Sequence, residues 1–286
     1  MGPETAAFVF ILKVAVASLA GGVIGSISGL GGGIVIVPVL TVFLGIPIQE
    51  AIGASIVSVI ATSSGAGSVY VKDRITNIRI AMFLEVSTAI GAIVGAAILA
   101  PIMNAQQLSI IFGATLLLSL IPIFAKIGEE LPEGVHNDKL ANVLRLSSSY
   151  YDKRLGREVT YDVTGIPASV GIMAAAGVIS GLLGIGAGVL KVLAHEIAMK
   201  VPSKVSTATS NFMIGVTAAT GASIYLHRGL VRPYIVVPVA AAVLVGALFG
   251  TKLMERLSNA RVRQIFAFAL GVIGCEMVLR GLGIPL

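Results

Sequence analysis

The chain has 286 residues, of which 56% are apolar and only 12% are charged, and its mean hydropathy is +0.97. The charged share is about half of the roughly 25% usual for a soluble domain. A soluble fold of this length has too small an interior to bury so much apolar surface. These figures exclude a disordered chain, a nucleic-acid-binding tail and an ordinary soluble enzyme, and they predict a protein whose solvent is the lipid bilayer.

The net charge of +6 is expected from loops that face the cytoplasm, so it does not require a nucleic-acid partner. Cys275 is the one cysteine, which excludes an intrachain disulfide. The three histidines are far apart in sequence, and no Cys/His cluster has the spacing of metal ligands. We therefore expect neither a metal nor another cofactor.

An internal repeat organises the chain, because a shift of 155 residues aligns its two halves without a gap over about residues 22–110. The repeat predicts a first transmembrane half at 1–125 and a second at 163–286. Between them, residues 126–162 hold 13 of the 34 charged side chains. This segment is expected to be a solvated cytoplasmic linker with short helices.

Each half divides into five apolar segments, which predict an all-α fold of transmembrane helices. The segments are 7–29, 31–44, 48–71, 79–100 and 105–125, then 163–183, 186–200, 203–227, 233–254 and 260–280. The last three of each half approach the roughly 20 residues of a full span. The second segment of each half is short, and it is either a re-entrant half-helix or a short span. Either way each half crosses the membrane an odd number of times, which inverts the second half relative to the first.

The distribution of Lys and Arg supports the inverted arrangement. With the linker inside, it puts 15 of these residues in cytoplasmic loops and 3 outside, against 12 and 6 for parallel halves. Both termini are then expected to face outward.

Inverted repeats with broken helices are typical of transporters, whose substrate sites lie near the middle of the membrane. Here a glycine cluster precedes the short second segment of each half, and a helix that begins after such a turn directs free N–H groups and its positive dipole end at one place. Two such starts predict one anion site, although glycines in membranes also serve helix packing alone. The predicted site residues of the two turns are Gly29, Leu30, Gly31, Gly32 and Gly33, with Gly184, Gly186, Ala187 and Gly188.

The glycine turn that follows Gly25-Ser26-Ile27-Ser28, together with the run Ala54-Ser55-Ile56-Val57, resembles the TauE/SafE family of sulfite and organosulfonate exporters. The resemblance covers nearly the whole chain outside the linker. It implies a prokaryotic inner-membrane permease for small sulfur-containing anions. The second half departs from the pattern, because Ala187 stands where the first half has Gly32, and the substrate is therefore left open.

Polar side chains in the apolar segments are further candidates. Ser55, Ser210 and Asn211 are predicted hydrogen-bond donors to the anion, although such residues also bond back to a carbonyl one turn earlier. Lys191 either neutralises the anion or extends to the cytoplasmic surface. Glu85 and Glu276 are candidates to carry a coupling proton, or each pairs with a basic side chain. His195 is expected at a helix end near the membrane interface.

We therefore expect a secondary transporter that exports sulfite or an organosulfonate by rocking one repeat against the other around a central site. The alternatives are another small anion, such as thiosulfate, sulfate or a carboxylate, and uptake instead of export. An intramembrane enzyme lacks support, since no nucleophile–base set or paired acids occur, and a channel would need a longer polar stripe. The sequence does not indicate an oligomeric state.

The inverted arrangement predicts opposite sidedness for the matched residues Asn104 and Asn259. In a chain whose Cys275 is first replaced by Ala, single cysteines at these positions are labelled in intact cells with a membrane-impermeant maleimide. We expect labelling at position 104 and protection at position 259. Equal labelling from one side would contradict the inversion.

Overall fold

The computed structural model describes residues 3–28, 32–121, 131–132, 134–153, 155–254 and 259–284. The helices of the first half follow one another with short connections. They are α1 (Pro3–Ser28), α2 (Gly33–Pro38, continued by a π-helical stretch Val39–Phe43), α3 (Ile48–Lys72), α4 (Ile78–Ile93, continued through Val94–Leu99 to Ala100–Ile102) and α5 (Ala105–Leu118).

The second half repeats this order after the linker. Its helices are α7 (Ile166–Leu183), α8 (Gly188–Leu193, continued by a π-helical stretch Ala194–Ala198), α9 (Ser203–His227), α10 (Pro233–Met254) and α11 (Asn259–Gly281). The linker contains α6 (Lys139–Leu144) and an antiparallel hairpin of β1 (Ser148–Asp152) and β2 (Arg157–Tyr161). The fold is therefore mostly helical, as predicted, but it is not all-α.

Local sequence signals explain where these helices begin. Pro47 and Pro202, in extended backbone, precede α3 and α9 at matched positions of the repeat. The side chain of Asn77 accepts a hydrogen bond from the Ile80 N–H at 3.1 Å and caps α4. Asn104 and Gln107 form a reciprocal capping box at the start of α5.

Five of the described helices are long and apolar enough to cross a bilayer. They are Phe8–Gly25, Ile48–Lys72, Ile78–Ile102, Ile166–Leu183 and Pro233–Gly250. The protein is thus a multi-pass membrane protein. By contrast, α2 with its continuation spans Gly33–Phe43, which at about 1.5 Å per residue is only about half the thickness of a hydrocarbon core.

Helices of one half pack against helices of the other through close glycine contacts. α1 packs on α10, and the equivalent helices α7 and α4 pack in the same way. A Cβ on Gly22 would collide with the Val243 carbonyl, and at the equivalent position a Cβ on Gly177 would collide with the Thr88 carbonyl. Because both contacts recur under the shift of 155 residues, the two halves share one packing geometry.

Equivalent helices also pack directly on each other. On α3 and α9, Gly67 lies next to Phe212, and a Cβ on Gly221 would come within 2.7 Å of the Ile56 side chain. Residue numbers therefore rise along one helix as they fall along the other, so α3 and α9 are antiparallel. The contacts of α5 with α11 follow the same rule, since Gly113 lies near Val278 and Gly281 near Ile110.

The connections between helices form two separate groups. At one end, Arg232, just before α10, pairs with Glu50 of α3 at 3.4 Å. At the other end, the N–H of Asn77, just before α4, donates to Thr209 Oγ1 near the start of α9 at 3.1 Å. The α3–α4 connection of the first half therefore lies beside the start of α9 in the second.

The described part of the linker folds as a cap on this second end, where the expected short helix, α6, is joined by a hairpin that the sequence did not predict. Its buried Tyr150 and Val159 join a core with Ile80 of α4 and Val205 of α9. Asp152, which is buried, accepts hydrogen bonds from Lys204 Nζ at 2.7 and 2.8 Å. We call residues 134–153 and 155–163 the cap.

Polar contacts with Asn77, just before α4 of the first half, also hold the cap. Asn77 Nδ2 donates to the Leu146 carbonyl and to the Tyr161 hydroxyl, each at 2.8 Å. Burial raises the pKa of Tyr161 to about 12, so this hydroxyl stays protonated at neutral pH. The cap thus bridges α4 of the first half and α9 of the second.

The Asp152–Lys204 pair predicts a specific weak point of the cap. Lys204→Met removes two charge-assisted hydrogen bonds from the buried Asp152 carboxylate, and we expect the hairpin to open more easily by about 2–4 kcal/mol. Amide hydrogen exchange of residues 148–161 measures this opening. The matched control is Lys153→Met, because Lys153 pairs with Asp73 at the surface and its loss is expected to cost less than about 1 kcal/mol. Equal effects of the two variants would contradict the prediction.

Candidate functional site

The start of α2 and the turn before α8 meet at the centre of the bundle. Ser55 of α3 lies between them, because its hydroxyl donates to the Gly184 carbonyl at 2.9 Å. A Cβ on Gly33 would lie 2.5 Å from Ser55 Oγ and 3.1 Å from the Gly184 oxygen. Gly33 and Ser55 are both buried. The broken segments of the two halves are therefore in direct contact, whereas Gly29, Leu30 and Gly31 lie outside the described residues.

The second turn needs a backbone that favours glycine. Gly184, Gly186 and Ala187 have φ values of 64°, 73° and 46°, all in the left-handed region. For Ala187 this conformation costs roughly 1–2 kcal/mol. Local strain of this kind is typical of functional sites.

Two equivalent serines flank the helix starts. Ser210 Oγ of α9 is 3.3 Å from the Gly188 carbonyl at the start of α8, just as Ser55 adjoins Gly33 at the start of α2. Both serines are fully buried. The first N–H groups of each helix have no acceptor within that helix. The arrangement therefore gathers hydroxyl groups and helix N-termini from both halves at one place.

Other hydroxyl and amide side chains bond within their own helix. Ser58 donates to the Ser55 carbonyl at 2.6 Å, and Thr62 donates to the Ser58 carbonyl at 3.1 Å. Asn211 Nδ2 donates to the Thr207 carbonyl at 3.0 Å. For these residues the geometry follows the alternative of back-bonding, whereas the hydroxyls of Ser55 and Ser210 donate to carbonyls of the second turn and of the start of α8.

Lys191 forms a buried polar cluster with two residues on neighbouring helices. Its Nζ donates to Thr217 Oγ1 of α9 and lies 3.7 Å from Glu85 Oε2 of α4. The Thr217 hydroxyl in turn lies 2.5 Å from Glu85 Oε1. Lys191 is fully buried, so the alternative that it extends to the surface is wrong. We call Lys191, Glu85 and Thr217 the buried ion cluster.

The remaining charged candidates lie elsewhere. Glu276 pairs with Arg280 one turn along α11, at 3.0 Å, and half of the Arg280 side chain is exposed. His195 lies three residues before the end of the π-helical continuation of α8, near a helix end as expected, and its side chain is fully buried. In the part of the chain that the structure describes, no group of three His, Cys, Asp or Glu side chains forms a candidate metal site.

One contact beside the second turn, made by Tyr225, was not predicted from the sequence. The Tyr225 hydroxyl of α9 lies 3.0 Å from the Gly181 carbonyl and 2.9 Å from the Leu182 carbonyl, just ahead of the second turn. A signal for it existed, because the repeat aligns Tyr225 with Tyr70. Tyr225 fixes the end of α7 from which the turn departs.

A family model for the sulfite exporter TauE/SafE matches residues 14–277. The chain belongs to this family. It is 28% identical to the probable membrane transporter protein YunE of Bacillus subtilis, over 96% of this chain and 98% of that one. It is also 23% identical to the probable membrane transporter protein MJ0441 of Methanocaldococcus jannaschii, over 95% and 98% of the two chains. No solved structure matches.

Membership of the TauE/SafE family agrees with the resemblance seen in the glycine turn and identifies the protein as a membrane transporter. The match spans both halves and the linker, so the family assignment applies to both repeats together.

The contact at Gly33 predicts that this position tolerates no side chain. Gly33→Ala forces Ser55 or Val59 to move, and we expect a loss of about 1–3 kcal/mol, measured as a lower melting temperature of the purified protein. The control is Gly171→Ala in α7, where a Cβ meets nothing within 4 Å and the helix gains slightly. A melting temperature for Gly33→Ala equal to that of the wild type would contradict close packing at the centre.

Proposed function

We propose that the protein transports a small sulfur-containing anion, such as sulfite or an organosulfonate, through a site formed by the starts of α2 and α8. The observation that carries this proposal is the meeting of Gly33, Ser55 and Gly184 at the centre of the bundle. The N–H groups at a helix start and serine hydroxyls are neutral donors suited to sulfonate oxygens. Membership of the sulfite exporter TauE/SafE family supports the same class of substrate.

We also propose that the two halves are inverted in the membrane, with the cap in the cytoplasm and both termini outside. The antiparallel packing of α3 on α9 supports this, since equivalent helices run in opposite directions. The separate grouping of the connections supports it as well, because the inverted arrangement expects residues near 50 beside 232 and residues near 77 beside 209. The inner membrane of a prokaryote is the proposed location.

Transport then requires the centre to open towards each side in turn. α1 packs on both α2 and α10, and α7 packs on both α8 and α4, so each set of three helices is joined through α1 or α7 and is proposed as one unit. Since each unit combines helices from both halves, movement of these two units fits the contacts better than rocking of one repeat against the other. The starts of α2 and α8 lie where the two units meet.

Other small anions remain a second candidate, because thiosulfate, sulfate and carboxylates accept the same hydrogen bonds. Uptake is likewise an alternative to export. A comparison of these anions by thermal shift on the purified protein selects the best ligand. Flux of that ligand in proteoliposomes of both orientations then measures the direction. The absence of binding by any of them would contradict the proposed function.

The two serines predict a graded loss of anion binding. Ser55→Ala and Ser210→Ala each remove one hydroxyl beside a helix start, and we expect the dissociation constant of the selected anion to rise about tenfold in each. Isothermal titration of the folded proteins measures it. Ser109→Ala is the matched control, because the exposed Ser109 bonds to Ala105 on α5, away from the centre. Unchanged affinity in both serine variants would remove them from the site.

A further inference from the structure

The buried ion cluster has no counterpart in the pseudo-equivalent part of the bundle, although its residues come from both halves: Glu85 from the first, and Lys191 and Thr217 from the second. Thr217 has an equivalent in Thr62, but the residues equivalent to its charged partners are apolar. Under the shift of 155 residues, Lys191 aligns with Ile36, Glu85 with Ala240 and His195 with Leu40. Helix packing does not require the charges, since the equivalent helices pack in the same way without them. Buried charges in a membrane are costly, so a function is the default explanation for them.

Several polar atoms around the cluster have unused hydrogen-bonding capacity. Within the described chain, Glu85 Oε2 and both ring nitrogens of His195 are buried without a hydrogen-bond partner. The Ser206 hydroxyl is likewise buried without a hydrogen-bond partner. The Ser206 backbone lies beside the imidazole of His195. Buried polar groups almost always have partners. This group therefore points to a ligand that comes and goes.

The Glu85 carboxylate faces few other ionisable groups. α7, which packs on α4, contains none between Ile166 and Leu183. On α9, Lys204 is bound to Asp152, and the Tyr225 hydroxyl bonds to backbone carbonyls. On α4 itself, Arg79 bonds to the Arg145 carbonyl in the cap. The nearby partners of Glu85 are thus Lys191 and Thr217, with His195 one turn further along α8.

We propose that Glu85 and Lys191 together bind one proton and one anion: a proton on Glu85 releases Lys191, and Lys191 then pairs with the transported anion. This inference rests on the proposed function. While Glu85 is ionised, its charge and that of Lys191 cancel, so the pair has no net charge to attract an anion. Protonation leaves a net charge of +1, which a bound anion neutralises. Each anion therefore moves together with one proton, in the same direction.

The position of the cluster fits this role. Lys191 lies in the first turn of α8, three residues after Gly188 and next to the proposed anion site. In the low dielectric of the bundle, an uncompensated lysine is far more costly than in water, so it strongly favours the arrival of an anion. His195 lies between Lys191 and the Met199–Val201 connection beneath the cap, and its carbonyl accepts a hydrogen bond from Val201 at 2.9 Å. Its unpartnered imidazole provides a route for the proton from that side.

The proposal predicts that anion binding takes up a proton. Sulfate and methanesulfonate are suitable probes, because neither changes its charge between about pH 5.5 and 8.5, whereas sulfite does. Binding to the full-length protein, measured in buffers of different protonation enthalpy, should take up about one proton per anion above the titration range of Glu85. The dissociation constant should then rise up to tenfold per pH unit. In proteoliposomes, a trapped pH dye should report proton movement along with the anion.

Variants separate the two members of the pair. Glu85→Gln imitates the protonated carboxyl, so we expect binding without pH dependence and anion exchange without proton movement. Lys191→Met should lose at least tenfold in affinity, and Lys191→Arg should recover part of it. Glu276→Gln is the matched control, because Glu276 is also a glutamate of an apolar segment and pairs with Arg280 one turn away on α11; its pH dependence should equal that of the wild type.

The outcomes distinguish this inference from the proposed function. If the wild type binds neither probe nor any other small anion, the proposed function fails. If it binds an anion without proton uptake, or if Glu85→Gln keeps the pH dependence, the coupling role of Glu85 is overturned while the anion site stands. The measurement on the wild type decides the matter even if Glu85→Gln does not fold. In that case the double variant Glu85→Gln/Lys191→Met, whose pair is neutral, tests the loss of binding.

Discussion

Backbone contacts that only glycine permits hold the two halves of this transporter together. In a bilayer the lipid tails are as apolar as the side chains, so the hydrophobic effect does not drive helices together. Helices associate instead through close packing at small residues. Here Gly22 meets Val243 and Gly177 meets Thr88, and neither position has room for a methyl group. Each contact is made twice because the same sequence register occurs in both halves. The geometry at the centre, including the meeting of α2 with the second turn, depends on this matched packing.

The cap adds a constraint at one end that has no equivalent at the other. It contacts α4 through Asn77 and α9 through Lys204, so it ties the packing unit that contains α4 to α9 of the antiparallel α3–α9 core. Movement of that unit against α9 therefore has to deform or release the cap. The cap and the buried ion cluster both break the symmetry of the repeat. Both involve α4 and α9, and neither has an equivalent at the pseudo-symmetric position.

The sequence predicted the parts of this structure that depend on periodic or repeated signals. The repeat, the glycine turns and the helix order are encoded in spacing, and even the short second segments were recognisable from their length. The hairpin of the cap was not, because its strands are five residues long and its charged residues are those of a solvated loop. The pairing of Lys191 with Glu85 was equally inaccessible, since 106 residues separate them and only the packing of α4 on α9 brings them together. Ser55 was predicted as a hydrogen-bond donor to the anion, but its bond to Gly184 could not be predicted because it depends on the opposite half.

The contrast between Lys191 and Ile36 explains how a nearly symmetric bundle can treat its two sides differently. A bundle with identical halves presents an anion with the same environment from either side, and its neutral donors alone would leave the charge of the anion uncompensated in the membrane. Placing one lysine on α8, and its counter-ion on α4, supplies that compensation at a single point next to the shared centre. α4 and α8 belong to the same packing unit, together with α7, whereas Thr217 lies on α9, which packs on α3. The Lys191–Glu85 pair can therefore move together with its own unit. Its hydrogen bonds to Thr217 form or break according to the position of that unit relative to α3 and α9.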